Sequence, residues 1–117
     1  MESMQNTLNL SIDLCTMGWN GYAAMALPGS ELYRQAISEG IKLPEDYEDY
    51  SFHSYNTMPL PTEYLEPREI LRFRDNAFIE YFNNKNFLSK LKNKFGKSAY
   101  DNVVEMTKVK LKRKILE

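Results

Sequence analysis

Four groups of residues in this 117-residue chain have types and spacing that could do chemistry. Pro28-Gly29-Ser30 follows the apolar run Tyr22 to Leu27 and precedes a helical pattern beginning at Glu31. Its amides would therefore sit at a helix N-terminus, where an anion or the polar edge of a ligand can be held. Gly96-Lys97-Ser98 has the ending of a phosphate-binding loop, but Leu91 stands where that loop needs its first glycine and the preceding pattern is helical. These three residues read as a helix stop followed by an N-cap. Glu45-Asp46 and Glu48-Asp49 lack the alternate ligand positions, central glycine and closing glutamate of a calcium loop, and read as a solvated acidic edge. Lys108, Lys110, Lys112, Arg113 and Lys114 form a basic run. With no nucleic-acid module around it, that run reads as a solvated or intrachain helix end, and no nucleic-acid partner is expected.

Two single residues narrow the chemistry further. Cys15 is the only cysteine, which excludes an intramolecular disulfide and a zinc site built on several thiolates. On the apolar side of a helical pattern it reads as a buried, inert thiol. His53 is the only histidine and lies in a stretch of prolines and tyrosines, so it reads as a packed or exposed imidazole rather than a ligand.

These residues must be positioned by one small domain, since 117 residues suffice for one core and not for two. Apolar residues make up 43% and charged residues 26%, ordinary globular usage that argues against a disordered or fibrous chain. The formal net charge of -1 conceals a split: residues 85–117 hold ten basic and three acidic side chains, whereas 31–66 hold eight acidic and two basic. No apolar run approaches the roughly 18 to 20 residues of a membrane span. The first residues lack the basic and apolar regions of a signal peptide, so a reducing cytoplasmic setting without a membrane partner is expected.

Met4, Leu8, Ile12 and Cys15 recur at helical spacing, with Leu10 and Leu14 beside them. The continuous apolar run from Tyr22 to Leu27, bounded by Gly21 and Pro28-Gly29, predicts a strand buried on both faces. Ser30 is a good N-cap for a helix ending before Gly40. Residues 41–66 carry three prolines and no sustained period, and Tyr47, Tyr50, Phe52, Tyr55 and Tyr64 predict a long connection packed across a surface. Beyond it, residues 67–117 read as a helical extension: one helix opening at Pro67, a second over about Lys85 to Phe95, and a third from near Ser98 with Leu111 on its inward side.

A lone strand leaves its backbone donors and acceptors unmatched. The fold expected is therefore mainly α with one short strand. Residues 1–40 would be a helix-strand-helix slice of a partial parallel α/β barrel, followed by the connection and the helical extension. The strand's partners would come from a missing N-terminal segment or from a second copy of the chain.

The wording Tyr22-Ala23-Ala24-Met25-Ala26-Leu27-Pro28-Gly29-Ser30-Glu31-Leu32-Tyr33 resembles the last strand and helix of the partial barrel in radical S-adenosylmethionine proteins. Lys42-Leu43-Pro44, Tyr50-Ser51-Phe52-His53-Ser54-Tyr55, Leu60-Pro61-Thr62, Leu71-Arg72-Phe73-Arg74-Asp75, Phe95-Gly96 and the stretch Met106 to Lys114 extend the likeness to the C-terminal tail of the cobalamin-binding-domain branch. The resemblance implies a parent enzyme using S-adenosylmethionine, a four-iron four-sulfur cluster and cobalamin. It also implies that Ala26, Leu27, Pro28 and Gly29 lie near the adenine of S-adenosylmethionine. The family's Cys-x-x-x-Cys-x-x-Cys loop has no counterpart here, so the chain is expected to hold no cofactor and to have no catalytic residues of its own. Two readings stand: a C-terminal fragment of such an enzyme, inactive alone, and a stand-alone helical module that self-associates or recruits a partner.

Overall fold

The computed structural model describes residues 1–117. Its five α-helices are α1 (Glu2–Leu14), α2 (Glu31–Ser38), α3 (Pro67–Phe82), α4 (Lys85–Phe95) and α5 (Lys97–Lys108), with 3-10 turns at Tyr47–Tyr50 and Lys114–Leu116. None is long and apolar enough to cross a membrane.

The chain contains no strand, which corrects the expected helix-strand-helix slice of a parallel barrel. Residues 22–27 lie outside any helix, and they meet no neighbour with which a ladder could form. Over residues 23–27 the backbone is tied to a distant segment once, by the Leu60 N–H donating to the Ala24 carbonyl at 2.8 Å. One bond is a tether, whereas a strand requires a repeated exchange of donors and acceptors. Nor is the run buried on both faces: Ala23, Met25 and Ala26 are buried while Tyr22, Ala24 and Leu27 are exposed.

The chain divides into two units, Met1–Gly21 with Asp75–Lys110, and Tyr22–Arg74 with Leu111–Glu117. The first is built around Tyr81, whose ring lies 5.3 Å from those of Phe82 and Phe87 and 6.3 Å from Trp19. Burying an aromatic of this kind is worth about 1.5–3 kcal/mol. Its hydroxyl donates to the Thr16 carbonyl at 2.7 Å, so the ring's polar end is satisfied as its body is buried. Leu8 is the buried residue of α1, with Met4, Ile12 and Cys15 half-buried, as the spacing predicts. Asn84 starts α4 by accepting from the Asn86 and Phe87 N–H groups. Gly96, at φ 87°, ψ -179°, is the joint between α4 and α5. There α5 ends at Lys108, so Leu111, expected on its inward face, lies beyond the helix and is exposed.

The second unit is held by small and polar anchors more than by its tyrosines. Thr57 is almost wholly buried and its hydroxyl meets the Met25 sulfur at 3.8 Å. Ile70, Leu71 and Ala36 complete its apolar interior. The connection over 41–66 was expected to pack through its aromatics, yet Tyr47 and Tyr64 remain 85% and 81% exposed. Phe52 does pack, 4.8 Å from the Tyr22 ring. The C-terminal residues bind the connection: the Lys114 N–H donates to the Tyr55 carbonyl at 2.9 Å and the Arg113 guanidinium to the Ser54 carbonyl at 3.0 Å.

Candidate functional site

The turn implied as a ligand edge is well formed. The Ser30 N–H donates to the Leu27 carbonyl at 3.0 Å, closing a four-residue turn with Pro28 and Gly29 at its centre. Gly29 has φ 87°, the positive value that the third position of a type II turn demands. Ser30 then caps α2, its side chain accepting from the Tyr33 N–H at 3.1 Å. A Cβ at Gly29 would meet no atom within 4 Å, and Leu27 and Pro28 are exposed; the Arg34 guanidinium donates to the Gly29 carbonyl at 3.4 Å.

Ala26, just before the turn, is different. It is 2% exposed, yet neither its N–H nor its carbonyl makes a hydrogen bond within the chain; the N–H groups of Ala23 and Met25, both buried, are likewise unmatched. Between Ala23 and Ala26 the Ala24 and Met25 carbonyls are the backbone groups used, the latter by the Leu27 N–H at 3.1 Å. Buried peptide groups are nearly always paired. A stretch of this kind is a template for backbone or ligand groups from outside.

Elsewhere in the same unit, residues from the 42–58 segment and the C-terminal turn line an open pocket of about 370 Å³. None of Ala26, Leu27, Pro28 or Gly29 lines it. Its charged lining is Lys42, Glu45, Asp46, Asp49 and Lys114. Asp49, read from sequence as part of a solvated acidic edge, is only 6% exposed and accepts from the Ser54 hydroxyl at 2.6 Å. Sequence periodicity could not separate it from its exposed neighbours, because the 3-10 turn that turns it inward spans only four residues. At the margin, the Tyr50 hydroxyl donates to the Pro44 carbonyl at 3.2 Å. Burial, and then the charge and hydrogen bond of Tyr33, raise the Tyr50 phenol above its ordinary value of 10.0.

The remaining candidates stand apart from both places. Cys15 is half-buried at the left-handed C-terminus of α1, His53 is exposed, and Lys97 pairs with Asp101 at the start of α5, with no glycine-rich loop before it. A single thiol does not fit a four-iron four-sulfur cluster, and no group of His, Cys, Asp or Glu residues gathers to hold a metal ion. No protein-family model matches the chain, and no curated protein or solved structure matches it.

Proposed function

We propose that this chain is the non-catalytic C-terminal part of a radical S-adenosylmethionine enzyme of the cobalamin-binding-domain branch, active only with the polypeptide that supplies the cluster thiolates. The observation that carries the reading is the buried, unmatched backbone of Ala23, Met25 and Ala26 beside an open turn. Backbone from the cluster-bearing polypeptide would satisfy the first of these groups. The end of the stretch, Ala26 to Gly29, would receive the adenine edge, with Leu27 as an apolar wall. Any group at Gly29 bulkier than hydrogen would stand on that side of the turn.

The test looks for a reading frame carrying the three-cysteine loop immediately upstream of Met1 and joins its product to this chain, as one chain or as two; absence of such a frame counts against the reading. The assembly is expected to cleave S-adenosylmethionine under reduction. Gly29→Val should weaken cofactor binding by about tenfold or more, roughly 1.4 kcal/mol, and Lys112→Ala should leave it unchanged. Equal affinity for Gly29→Val and the parent withdraws the adenine assignment. Stoichiometric cluster uptake and 5′-deoxyadenosine production by the isolated chain would overturn the reading as a whole.

A second reading, a self-associating helical module, is favoured by one feature of α1. Leu10 and Leu14 lie one turn apart and are 58% and 63% exposed, an apolar stripe on an otherwise amphipathic helix. A stable dimer that Leu10→Glu and Leu14→Glu dissociate, with no affinity for the cluster-bearing polypeptide, would decide for it.

A further inference from the structure

The open pocket of about 370 Å³ is independent of the radical-enzyme reading, and its lining has a chemistry of its own. Five charged side chains of both signs border it, and no two of them form an ion pair within 4 Å; the chain's acid–base pairs lie elsewhere, as at Lys97–Asp101. Asp49 uses one oxygen, Oδ1, to accept from Ser54. No fully enclosed side-chain polar atom lacks a partner, so its second oxygen, Oδ2, is reachable from open space. The anion is thus fixed and half-committed: its residue is buried, its rotamer is held by the Ser54 hydroxyl, and one oxygen is left to receive a donor.

The cations come from two directions along the chain, Lys42 at the start of the connection and Lys114 from the C-terminal turn. Lys114 is set in place by its own N–H on the Tyr55 carbonyl, adjacent to the residue that holds Asp49. Between the charges, Leu43, Met58 and Ile115 provide apolar wall. The acidic groups do not converge closely enough to hold a metal ion. Separated charges of both signs around an apolar middle suit an extended ligand carrying both signs, and the volume falls at the small end of ligand pockets, about 300–1,000 Å³.

We infer that this pocket binds a small apolar zwitterion of the amino-acid or dipeptide class, its ammonium group on Asp49 and its carboxylate on Lys42 and Lys114. Charge-assisted bonds at both ends would fix orientation, and the aliphatic body would be held by the apolar wall.

The test is an NMR titration of the full chain with leucyl-leucine, with its N-acetylated form and with its C-terminal amide. The free dipeptide is expected to shift the Thr57 and Met58 amides saturably, and blocking either terminus to raise the Kd about tenfold or more. Asp49→Asn keeps an acceptor for Ser54 and should weaken the free dipeptide by a similar factor while leaving the acetylated form unchanged. If that variant fails to fold, Lys42→Met with Lys114→Met supplies the complementary measurement, weakening the free dipeptide but not the amide. Absence of saturable shifts at millimolar dipeptide, or equal affinity for the free and both blocked forms, overturns the inference. Neither result bears on S-adenosylmethionine binding at the Ala26–Gly29 turn.

Discussion

The phenol of Tyr55 donates a hydrogen bond of 2.6 Å to the carboxylate of Glu117, 62 positions further along the chain. Together with the bonds from Lys114 and Arg113 to the carbonyls of Tyr55 and Ser54, it straps the C-terminal turn onto the connection that borders the pocket. The strap has a pH dependence of known sign. The hydrogen bond to Glu117, then burial and the carboxylate's charge, raise the Tyr55 phenol above its ordinary value of 10.0. A raised phenol binds its proton more tightly in the folded chain than in the unfolded one. Its contribution is complete below pH 10 and is lost as pH rises through the folded value. Tyr50 acts in the same direction. Denaturant melts between about pH 8 and about pH 11 should show stability falling above pH 10, with a smaller fall for Tyr55→Phe. Identical pH profiles for the two proteins would show that the bond contributes nothing.

Tyr81 gives the first unit both an apolar centre and a polar tie, and two substitutions separate them. Tyr81→Phe keeps the ring among Phe82, Phe87 and Trp19 but removes the donor to Thr16. It should cost about 1 kcal/mol, since Thr16 is exposed and water can replace the lost donor. Tyr81→Ala removes the ring as well and should cost about 3–5 kcal/mol. Urea unfolding of both variants checks the difference; equal losses would mean the hydroxyl dominates.

At the two ends of α4, a side chain and the backbone do different work. Asn84→Ala removes the acceptor for the Asn86 and Phe87 N–H groups and should cost about 1 kcal/mol, while Asn84→Asp should restore most of it. Gly96 occupies φ 87°, ψ -179°, a region essentially reserved for glycine. An added Cβ would touch nothing within 4 Å, so Gly96→Ala should lose about 1–3 kcal/mol through backbone strain alone. Thermal melts of the three variants measure these effects, and an unshifted Gly96→Ala would mean that the joint relaxes.

Helices announced themselves in the sequence wherever a period and a boundary residue coincided. Pro67 opens α3 and Gly96 separates α4 from α5, as their chemistry requires, whereas the N-cap expected at Ser98 is corrected: α5 starts at Lys97 and Ser98 lies within it. The stretch from Tyr22 to Leu27 did not, because an apolar run bounded by turn residues specifies an extended backbone but cannot supply the neighbour that would make it a strand. In the structure, Leu60 offers it a single bond and the ladder ends there. The pocket was also hidden. Asp49 differs from Glu45 and Asp46 only through a four-residue turn, and Lys114 reaches the site through a pairing with Tyr55 that no local pattern encodes. The turn at Pro28-Gly29 was legible in its geometry, since Gly29 takes the positive φ its type demands.

The unmatched amides of Ala23, Met25 and Ala26 lead to the last expectation. Amide exchange is slowed chiefly by hydrogen bonding that opens only rarely, and these three N–H groups have no acceptor in the chain. Although their side chains are buried, they should exchange quickly in the isolated protein, faster than the Leu60 amide, which is bonded to Ala24 at 2.8 Å. Pairing with backbone from the cluster-bearing polypeptide would give Ala23 and Met25 an acceptor, and bound S-adenosylmethionine would give Ala26 one. Their exchange should then slow by about tenfold or more, while the α5 amides keep their rates. Hydrogen exchange read residue by residue, on the chain alone and in the joined assembly, makes the comparison. Slow exchange at these positions in a dilute monomer would show that the chain satisfies them itself. Protection that grows with the concentration of the isolated chain would instead identify a second copy as the partner. Unchanged rates in the joined assembly would remove the backbone pairing on which the proposed function rests.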